Sequence, residues 1–367
     1  MRIAVVGTRG FPNVQGGVEA HCQHLYPRLV QLGCEIIVFT RRQYVDAQLM
    51  GYKGVKLAPI RTIRIKSLEN VVHTFFAILK AYRHKPDIIH FQAIGAASLI
   101  PLAKLFGMKV LLTTHGSNYK HRKWGYFGKA ILKISEYLGV TYSDAIISIS
   151  KTIAGEIKQK YRKDSYIIPN GAEITDSVRT DHALREYSLT QKRYILAVGR
   201  LVPDKGFHDL INAFNKAQLD GWKLVIVGKA DHADKYSREL VMMARNNSNI
   251  IFTGFLTGQP LGEIFSYAGL FVLPSYYEGM PLVLLEALSY GLPCLVSDIP
   301  ANREIELPIE NYFAAGDIDL LSRKISEFIN KRITEKGKNI LRDELTAKYN
   351  WDIIAQDTIA VYNNILS

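Results

Sequence analysis

The sequence has few cysteines, and their arrangement excludes two classes of protein. There are three, Cys22, Cys34 and Cys294, an odd number without a C-x-x-C pair. Neither a disulfide framework nor a thiolate zinc site is therefore expected. No apolar run has the length that crosses a bilayer, and the opening segment 1–7 is too short for a secretory signal. We expect a cytoplasmic protein without a membrane span.

Three familiar enzyme signatures are also missing. The glycine-rich segment after the first predicted strand lacks the G-x-G-x-x-G spacing, which disfavours a nicotinamide or flavin dinucleotide enzyme. The sequence contains neither a G-x-S-x-G elbow nor a Walker loop, so it does not indicate a hydrolase or an NTPase of those types.

Negative charge is scarce in the first half of the chain. Residues 1–170 hold 25 Lys and Arg against 9 Asp and Glu, a net charge of +16, whereas residues 171–367 carry −4. A basic half joined to a mildly acidic half indicates that one domain faces an anionic partner. Nucleic acid, an anionic membrane surface and a phosphate-bearing acceptor all fit this charge.

Strand-like apolar runs alternate with helical patterns along the chain, which predicts parallel sheets covered by helices. One series of strands lies near 2–6, 35–40, 55–60, 87–91, 109–113, 144–149 and 165–168, and a second near 194–198, 223–227, 250–253, 270–273 and 294–296. We expect an α/β protein of two doubly wound, Rossmann-like domains, 1–170 and 171–350, that face a cleft. Segment 351–367 has apolar residues at helical spacing and should form a helix that crosses back to the first domain.

Two glutamates bracket the start of a predicted helix. Glu278 follows an apolar strand, Gly279 allows a tight turn, and Pro281 suits the first helical position. Glu286 then lies about two turns into a helix that is apolar nearly all round. A solvated helix edge is the alternative, but a carboxylate on a buried helix needs a partner, such as a ligand hydroxyl. Helix-start amides can hold phosphate while a carboxylate holds hydroxyls, which is the chemistry of a sugar nucleotide.

Two loops at predicted strand ends carry groups suited to phosphate. Gly16 and Gly17 precede the first helix, where glycines let backbone N–H groups approach a phosphate; turns alone are the alternative. Arg200 and Lys205 follow the strand near 194–198 and can point at the same phosphate pair. Isolated basic residues are more often solvated, but a strand end beside Glu278 favours the phosphate role.

Histidines and aspartates supply further candidates. His115 lies at a predicted strand end, where a functional and a structural role are both open. His21 and His24, three apart on one helix, have no third metal ligand nearby, and we interpret them as a surface face. Asp317 and Asp319 look like a metal-binding pair but precede an amphipathic helix, so we interpret them as its N-cap and first-turn acid. No motif requires a metal.

Together these motifs resemble the retaining glycosyltransferases of family 4, which have the GT-B fold, and the likeness covers nearly the whole chain. It rests on G-R-x-x-x-x-K-G at 199–206, E-x7-E at 278–286, Ile168–Gly171 and Ser297–Asn302. The opening glycine-rich loop, and Thr-His-Gly at 114–116 followed by Lys-Trp-Gly at 123–125, are similar to a bacterial subgroup that builds surface polysaccharides and includes rhamnosyltransferases. Lys229 stands where many relatives carry a second glycine, which leaves the contacts to the base open.

The resemblance implies a role for each candidate. Arg200 and Lys205 would neutralise the donor diphosphate, and Glu286 would hold the ribose. Glu278 would contact the transferred sugar, and His115 would touch its ring. The implied catalytic residues are His115, Arg200, Lys205 and Glu278. The other implied donor-binding residues are Gly16, Gly17, Asn170, Gly279, Met280, Leu282 and Glu286.

The implied activity moves a hexosyl or deoxyhexosyl group, with retention, from a nucleoside-diphosphate sugar to a lipid-linked or polysaccharide acceptor. It uses neither a metal nor a cofactor. Two alternatives stay open: a sugar-nucleotide epimerase on the same fold, and a noncatalytic protein that binds an anionic surface.

The segment 120–133 mixes basic and aromatic residues, a pattern suited to an anionic membrane surface. Its contact residues would be Lys120, Arg122, Lys123 and Trp124. An ordinary amphipathic helix packed on the sheet is the alternative. We expect peripheral attachment to the inner face of the cell membrane, a polyprenyl-diphosphate-linked glycan as acceptor, and no nucleic acid partner.

Overall fold

The computed structural model describes residues 1–46, 48–62, 69–116, 125–174, 178–231 and 234–367. The chain divides into two compact units, the first of Met1–Gly171 with Tyr349–Ser367 and the second of Ala172–Lys348. The domain boundaries predicted from the sequence lie after residues 170 and 350. Each unit has its own sheet of mainly parallel strands with helices, so the predicted α/β fold class is confirmed.

The described strands of the first unit are β1 (Arg2–Val6), β2 (Glu35–Arg41), β3 (Gly51–Tyr52), β4 (Val55–Ile60), β5 (Ile88–Gln92), β6 (Lys109–Thr114), β7 (Ala145–Ser148) and β8 (Tyr166–Ile167). They pair in the order β3-β4-β2-β1-β5-β6-β7-β8, with only β3 and β4 antiparallel. The central strands are almost wholly buried, because a parallel sheet is covered on both faces. The helices that alternate with these strands along the chain are α1 (Gly17–Gln31), α2 (Glu69–His84), α3 (Ile100–Leu105), α4 (Tyr126–Tyr142) and α5 (Lys151–Tyr161).

The described strands of the second unit are β9 (Tyr194–Val198), β10 (Lys223–Val227), β11 (Ile250–Gly254), β12 (Leu270–Leu273), β13 (Cys294–Ser297) and β14 (Tyr312–Phe313), in the order β11-β10-β9-β12-β13-β14. Its helices are α6 (His182–Glu186), α7 (Phe207–Ala217), α8 (Lys235–Ala244), α9 (Gly258–Tyr267), α10 (Leu282–Ser289), α11 (Pro300–Arg303), α12 (Ile318–Phe328) and α13 (Glu335–Lys348). Phe207, Leu224 and Val272 belong to the buried core.

The last helix, α14 (Trp351–Leu366), belongs to the first unit and packs on α1. The predicted crossing of this helix back to the first domain is therefore confirmed. Its first residue, Trp351, lies against Gly171, where an added Cβ would come within 2.4 Å of the indole ring. The ring of His24 stacks on the indole at a centroid distance of 5.4 Å. A glycine and an aromatic residue thus dock the start of α14.

Two short strands were not predicted. β3 and β14 contain two residues each, too few to show the alternation by which a strand is recognised. Each is an outermost strand, β3 of the first sheet and β14 of the second, so they extend the predicted sheets without changing the order of the other strands.

Each sheet has one point where the strand order reverses. In the first unit it lies between β1 and β5, and in the second between β9 and β12. Open α/β sheets bind ligands outside the carboxyl ends of the strands at such a switch point. The loops after these four strands are therefore where a site is expected.

Candidate functional site

The second unit brings Lys205 and Glu278 together at its switch point. Lys205 follows β9, Glu278 follows β12, and the two strands are hydrogen-bonded neighbours. The Nζ atom of Lys205 lies 2.6 Å from Oε1 of Glu278, and the side chains are only 18% and 10% exposed. Two residues 73 positions apart in the sequence thus form one ion pair.

Gly206 makes this close approach possible. Its φ of +65° is left-handed, and an added Cβ would lie 2.1 Å from the carbonyl oxygen of Pro274, the residue after β12. Gly206 ends the short turn Pro203–Lys205 and caps the start of α7. A larger residue would push the Lys205 loop away from β12.

Two serines and an asparagine support the loop that carries Glu278. The hydroxyl of Ser275 donates to Oε1 of Glu278 at 2.6 Å, and the hydroxyl of Ser297 donates to the carbonyl of Ser275. The amide of Asn302 donates to the carbonyl of Ser297 at 2.8 Å, and all three supporting residues are fully buried. The sequence identified Ser297–Asn302 as a motif, and the structure shows that it positions the Glu278 loop.

Arg200 faces a carboxylate that is not among the site residues predicted from the sequence. Its Nη1 lies 3.2 Å from Oδ2 of Asp231, which follows β10 in the segment that departs from the family pattern. The sequence did contain a signal for this contact, because Asp231 is an acidic residue shortly after β10, the strand that lies beside β9. Each predicted cation of this site therefore already faces a carboxylate, and a bound diphosphate would share both cations.

The carboxylate of Glu286 has no hydrogen bond or ion pair with any residue that the structure describes. Because α10 begins at Leu282, after the capping residue Pro281, Glu286 lies about one turn into the helix rather than the two turns predicted. Burial raises its pKa to about 7, and no neighbouring charge offsets that effect. A hydroxyl group of a ligand would satisfy this carboxylate.

Gly279 and Met280 lie between Glu278 and α10, and Leu282 is the first residue of that helix. Met280 is buried, with 8% exposure. The first N–H groups of a helix have no intrahelical acceptor, so this helix start is suited to an anionic group of a ligand.

The glycine loop of the first unit is held by a buried ion pair. Nε of Arg9 lies 3.0 Å from Oε1 of Glu19, which also accepts from the backbone N–H of Arg9 at 3.2 Å. Burial tends to raise the pKa of Glu19, but the charge and hydrogen bonds of Arg9 lower it overall. An added Cβ at Gly16 would lie 2.1 Å from Oε2 of Glu19, whereas Gly17 has open space at that position. Of these two glycines, only Gly16 is therefore at a position where a side chain would clash with its neighbours.

His115 follows β6 and contacts Gln92, the last residue of β5. Its Nε2 lies 2.7 Å from Oε1 of Gln92, and its ring meets that of His21 edge-on at a centroid distance of 4.9 Å. Burial, with smaller effects from His21 and His90, lowers the pKa of His115 well below its ordinary value. The predicted catalytic histidine is therefore neutral near pH 7.

His21 does not lie on a surface face, so that interpretation was wrong. The residue is 3% exposed because α14 covers α1 there, and Trp351 meets the His21 ring at 5.6 Å. Its Nδ1 lies 2.9 Å from Oδ1 of Asn170, and burial lowers its pKa to about 4. Asn170, a predicted donor-binding residue, is itself 2% exposed and engaged by this bond.

The aspartate pair at the start of α12 has the predicted capping role. Asp317 accepts a hydrogen bond from the backbone N–H of Leu320 at 2.8 Å, and Asp319 pairs with Lys216 at 2.5 Å. In the described ranges, no group of three His, Cys, Asp or Glu side chains is placed to hold a metal ion.

The predicted membrane-contact residues Lys120, Arg122, Lys123 and Trp124 lie outside the described residues. The neighbouring helix α4 exposes several apolar side chains, among them Tyr126 at 95% and Ile134 at 58%. Within the ranges that the structure describes, every helix is too short or too polar to span a bilayer.

Comparison with known proteins gives a consistent picture. Residues 15–176 match the family model described as Glycosyltransferase Family 4, and residues 181–343 match the model described as Glycosyl transferases group 1. An uncharacterized glycosyltransferase of Methanocaldococcus jannaschii is 27% identical over 394 aligned positions, covering 99% of this chain and 98% of the relative.

Two solved structures show the same fold. Sucrose-phosphate synthase of Thermosynechococcus elongatus has a TM-score of 0.83 at 21% identity, over 99% of this chain and 98% of that one. Anabaena HepE, solved in complex with UDP-glucose, has a TM-score of 0.79 at 16% identity, over 99% of this chain and all of its own. The predicted GT-B fold is thereby confirmed.

Proposed function

Since the chain belongs to the glycosyltransferase family that these two models describe, we propose that it moves a hexosyl or deoxyhexosyl group from a nucleoside-diphosphate sugar to a glycan acceptor. One observation carries this proposal. At the switch point of the second unit, the Lys205–Glu278 ion pair lies just before α10, the helix that carries Glu286, whose carboxylate has no partner among the described residues. A cation for phosphate and two carboxylates for hydroxyls are the groups that a nucleotide sugar requires.

The cations act on the leaving group. As the glycosidic bond to phosphate breaks, negative charge develops on the diphosphate, and each preorganised donor that meets it is worth about 3 kcal/mol. Glu278 holds Lys205, and Asp231 holds Arg200, before any substrate arrives. The cations therefore need little rearrangement, and Glu278 keeps oxygen lone pairs for a sugar hydroxyl.

A solved structure of the same fold supports a nucleoside-diphosphate sugar as the donor. HepE binds UDP-glucose, and its chain shares the fold of this one over nearly its whole length. The finer parts of the proposal rest on the motif resemblance. They are retention, by front-face attack in which a donor phosphate oxygen takes the acceptor proton, and a role in surface polysaccharide synthesis, for which a rhamnosyl group is one candidate among hexosyl and deoxyhexosyl groups. We further propose that Arg200 and Lys205 replace a metal ion in neutralising the diphosphate.

The test of this function is a panel of nucleoside-diphosphate sugars, assayed for release of the nucleoside diphosphate with and without glycan acceptors. We expect release that requires both one donor and an acceptor, proceeds with an excess of EDTA, and gives a product with the donor's anomeric configuration. Conversion of the donor sugar without an acceptor would identify an epimerase. Binding of no donor by the folded protein would refute the proposed function.

We also propose that α4 rests on an anionic membrane. Four of its exposed side chains are apolar or aromatic: Tyr126, Ile131, Ile134 and Tyr137, all more than half exposed. Lys129 and Lys133 lie on the same helix, within a unit of strongly positive charge. An exposed apolar stripe beside lysines suits the interface of an anionic bilayer, where a polyprenyl-diphosphate-linked acceptor would reside.

Ile131→Ser combined with Ile134→Ser should abolish co-sedimentation with anionic vesicles, because it removes the apolar contact. Binding of the wild-type protein should weaken as salt rises, since surface charges are screened beyond about 8 Å at physiological ionic strength. The matched control is Val241→Ser with Met242→Ser, two exposed apolar residues on α8 of the second unit. Equal binding of neutral and anionic vesicles, or an equal loss in the control, would contradict this placement.

A further inference from the structure

A buried polar network lies behind His115 in the first unit. Its centre is Gln92, the last residue of β5, which is fully buried. The Nε2 atom of Gln92 lies 2.6 Å from the hydroxyl of Tyr26 and 3.3 Å from Nε2 of His90. Its Oε1 atom lies 2.7 Å from Nε2 of His115. One amide side chain thus connects the interior to the predicted catalytic histidine.

The direction of this amide determines where His115 carries its proton. Because Nε2 of Gln92 is a donor and faces Tyr26, its Oε1 is left to accept from His115. A carbonyl oxygen cannot donate, so Nε2 of His115 must be protonated. Its Nδ1 atom then keeps a lone pair, and no described residue donates to it.

Residues on other elements hold this arrangement in place. Nδ1 of His90 lies 2.8 Å from the hydroxyl of Tyr362 on α14, and its Nε2 lies 2.7 Å from Oγ1 of Thr113 on β6. Tyr26, His90 and Tyr362 are fully buried. Burial lowers the pKa of His90 to about 3, so this ring does not acquire a charge that would reorient the network. The network therefore has little freedom to turn the Gln92 amide.

We propose that Gln92 is a positioning residue that fixes His115 as the neutral Nε2–H tautomer, so that Nδ1 accepts a hydrogen bond from a hydroxyl of the transferred sugar. This inference rests on the proposed glycosyltransferase function. A neutral imidazole suits that place, because the sugar ring gains positive charge as the leaving group departs and an imidazolium would oppose it. The titratable rings that face His115, His21 on α1 and His90 on β5, have lowered pKa values and stay neutral with it.

The first test is spectroscopic and needs no substrate. In the full-length protein labelled with ¹⁵N-histidine, the side-chain ¹⁵N shifts show which ring nitrogen carries the proton, and His115→Asn identifies the signal of His115. We expect protonated Nε2 in the wild type and a mixture of tautomers in Gln92→Leu. Thr113→Val removes a partner of His90 but leaves the Gln92 contact, and should keep the wild-type tautomer. A wild-type His115 protonated on Nδ1 overturns the proposal.

The second test separates positioning from a structural role. Gln92→Leu should lower kcat at least about tenfold and leave the dissociation constant of the nucleoside diphosphate unchanged, since Gln92 meets the sugar only through His115. Gln92→Glu keeps an acceptor for His115 but adds a negative charge, so activity should acquire an acid limb near neutral pH as the imidazole is protonated.

Tyr26→Phe tests the same bond from the other side, because it removes the acceptor of the Gln92 amide while nearly keeping the ring's shape. We expect an intermediate loss of kcat and partial loss of the wild-type tautomer. Unchanged kcat in a folded Gln92→Leu variant with mixed tautomers overturns the proposal. A wild-type protein that transfers no sugar would refute the proposed function instead, and the spectra would still decide the tautomer.

Discussion

Lys205→Ala should lower kcat/KM for glycosyl transfer by two to three powers of ten, about 3 kcal/mol of transition-state stabilisation. The ammonium group lies 2.6 Å from Glu278 and follows the end of β9, where a diphosphate would meet a helix start. Most of the loss should appear in kcat, because charge on the leaving group develops as the bond breaks. Single-turnover measurements of nucleoside-diphosphate release would give this value directly.

The matched control is Lys216→Ala. Lys216 lies on α7 in the same unit and pairs with Asp319, but both side chains are more than half exposed. Exposed ion pairs contribute only about 0–1 kcal/mol, so this variant should keep both its stability and its activity. Near-normal turnover in a folded Lys205→Ala variant would remove Lys205 from the site.

Glu286→Ala should weaken binding of the donor about 100-fold, because two ribose hydroxyls would each lose a bond to a charged group worth about 1.5 kcal/mol. The raised pKa of Glu286, about 7, adds a signature in the pH dependence. Hydroxyls donate to the ionised carboxylate, so the affinity for a nucleoside diphosphate should rise with pH. If only the ionised form binds, the dissociation constant falls about tenfold between pH 6 and pH 8.

Glu286→Gln separates this effect from titration of the phosphate groups. The amide mimics a carboxyl that cannot ionise, while the ligand's own titration is the same for both proteins. Calorimetry over the pH range should show a shallower dependence and weaker binding at pH 8 in this variant. The same slope in both proteins would contradict contact between Glu286 and the ribose.

The fold was predictable to the extent that burial leaves a mark on the sequence. Strands covered on both faces read as unbroken apolar runs, which is why β1, β9 and β12 were located within a residue or two. That Lys205 and Glu278 lie close together could also be predicted, because parallel strands bring their carboxyl ends to one edge of the sheet.

Partners across strands were not predictable in the same way. Gln92 ends an apolar run, but its contacts with Tyr26 and His115 depend on how three separate segments pack together. The Arg200–Asp231 pair depends likewise on β10 lying beside β9. His21 was misjudged because the helix that covers it, α14, comes some 330 residues later in the chain. Spacing within a segment does not report such distant contacts.

Because α14 belongs to the first unit, that unit is assembled from two stretches of chain separated by the whole of the second. A ribosome therefore makes strands β1–β8 of the first sheet, and then the second unit, before α14 emerges. Until then α1 lacks the helix that packs on it, and His90 lacks its hydrogen-bond partner, the hydroxyl of Tyr362. The second unit, encoded without interruption, is in this sense the first to be finished, and the polar network behind His115 is among the last features of the molecule to form.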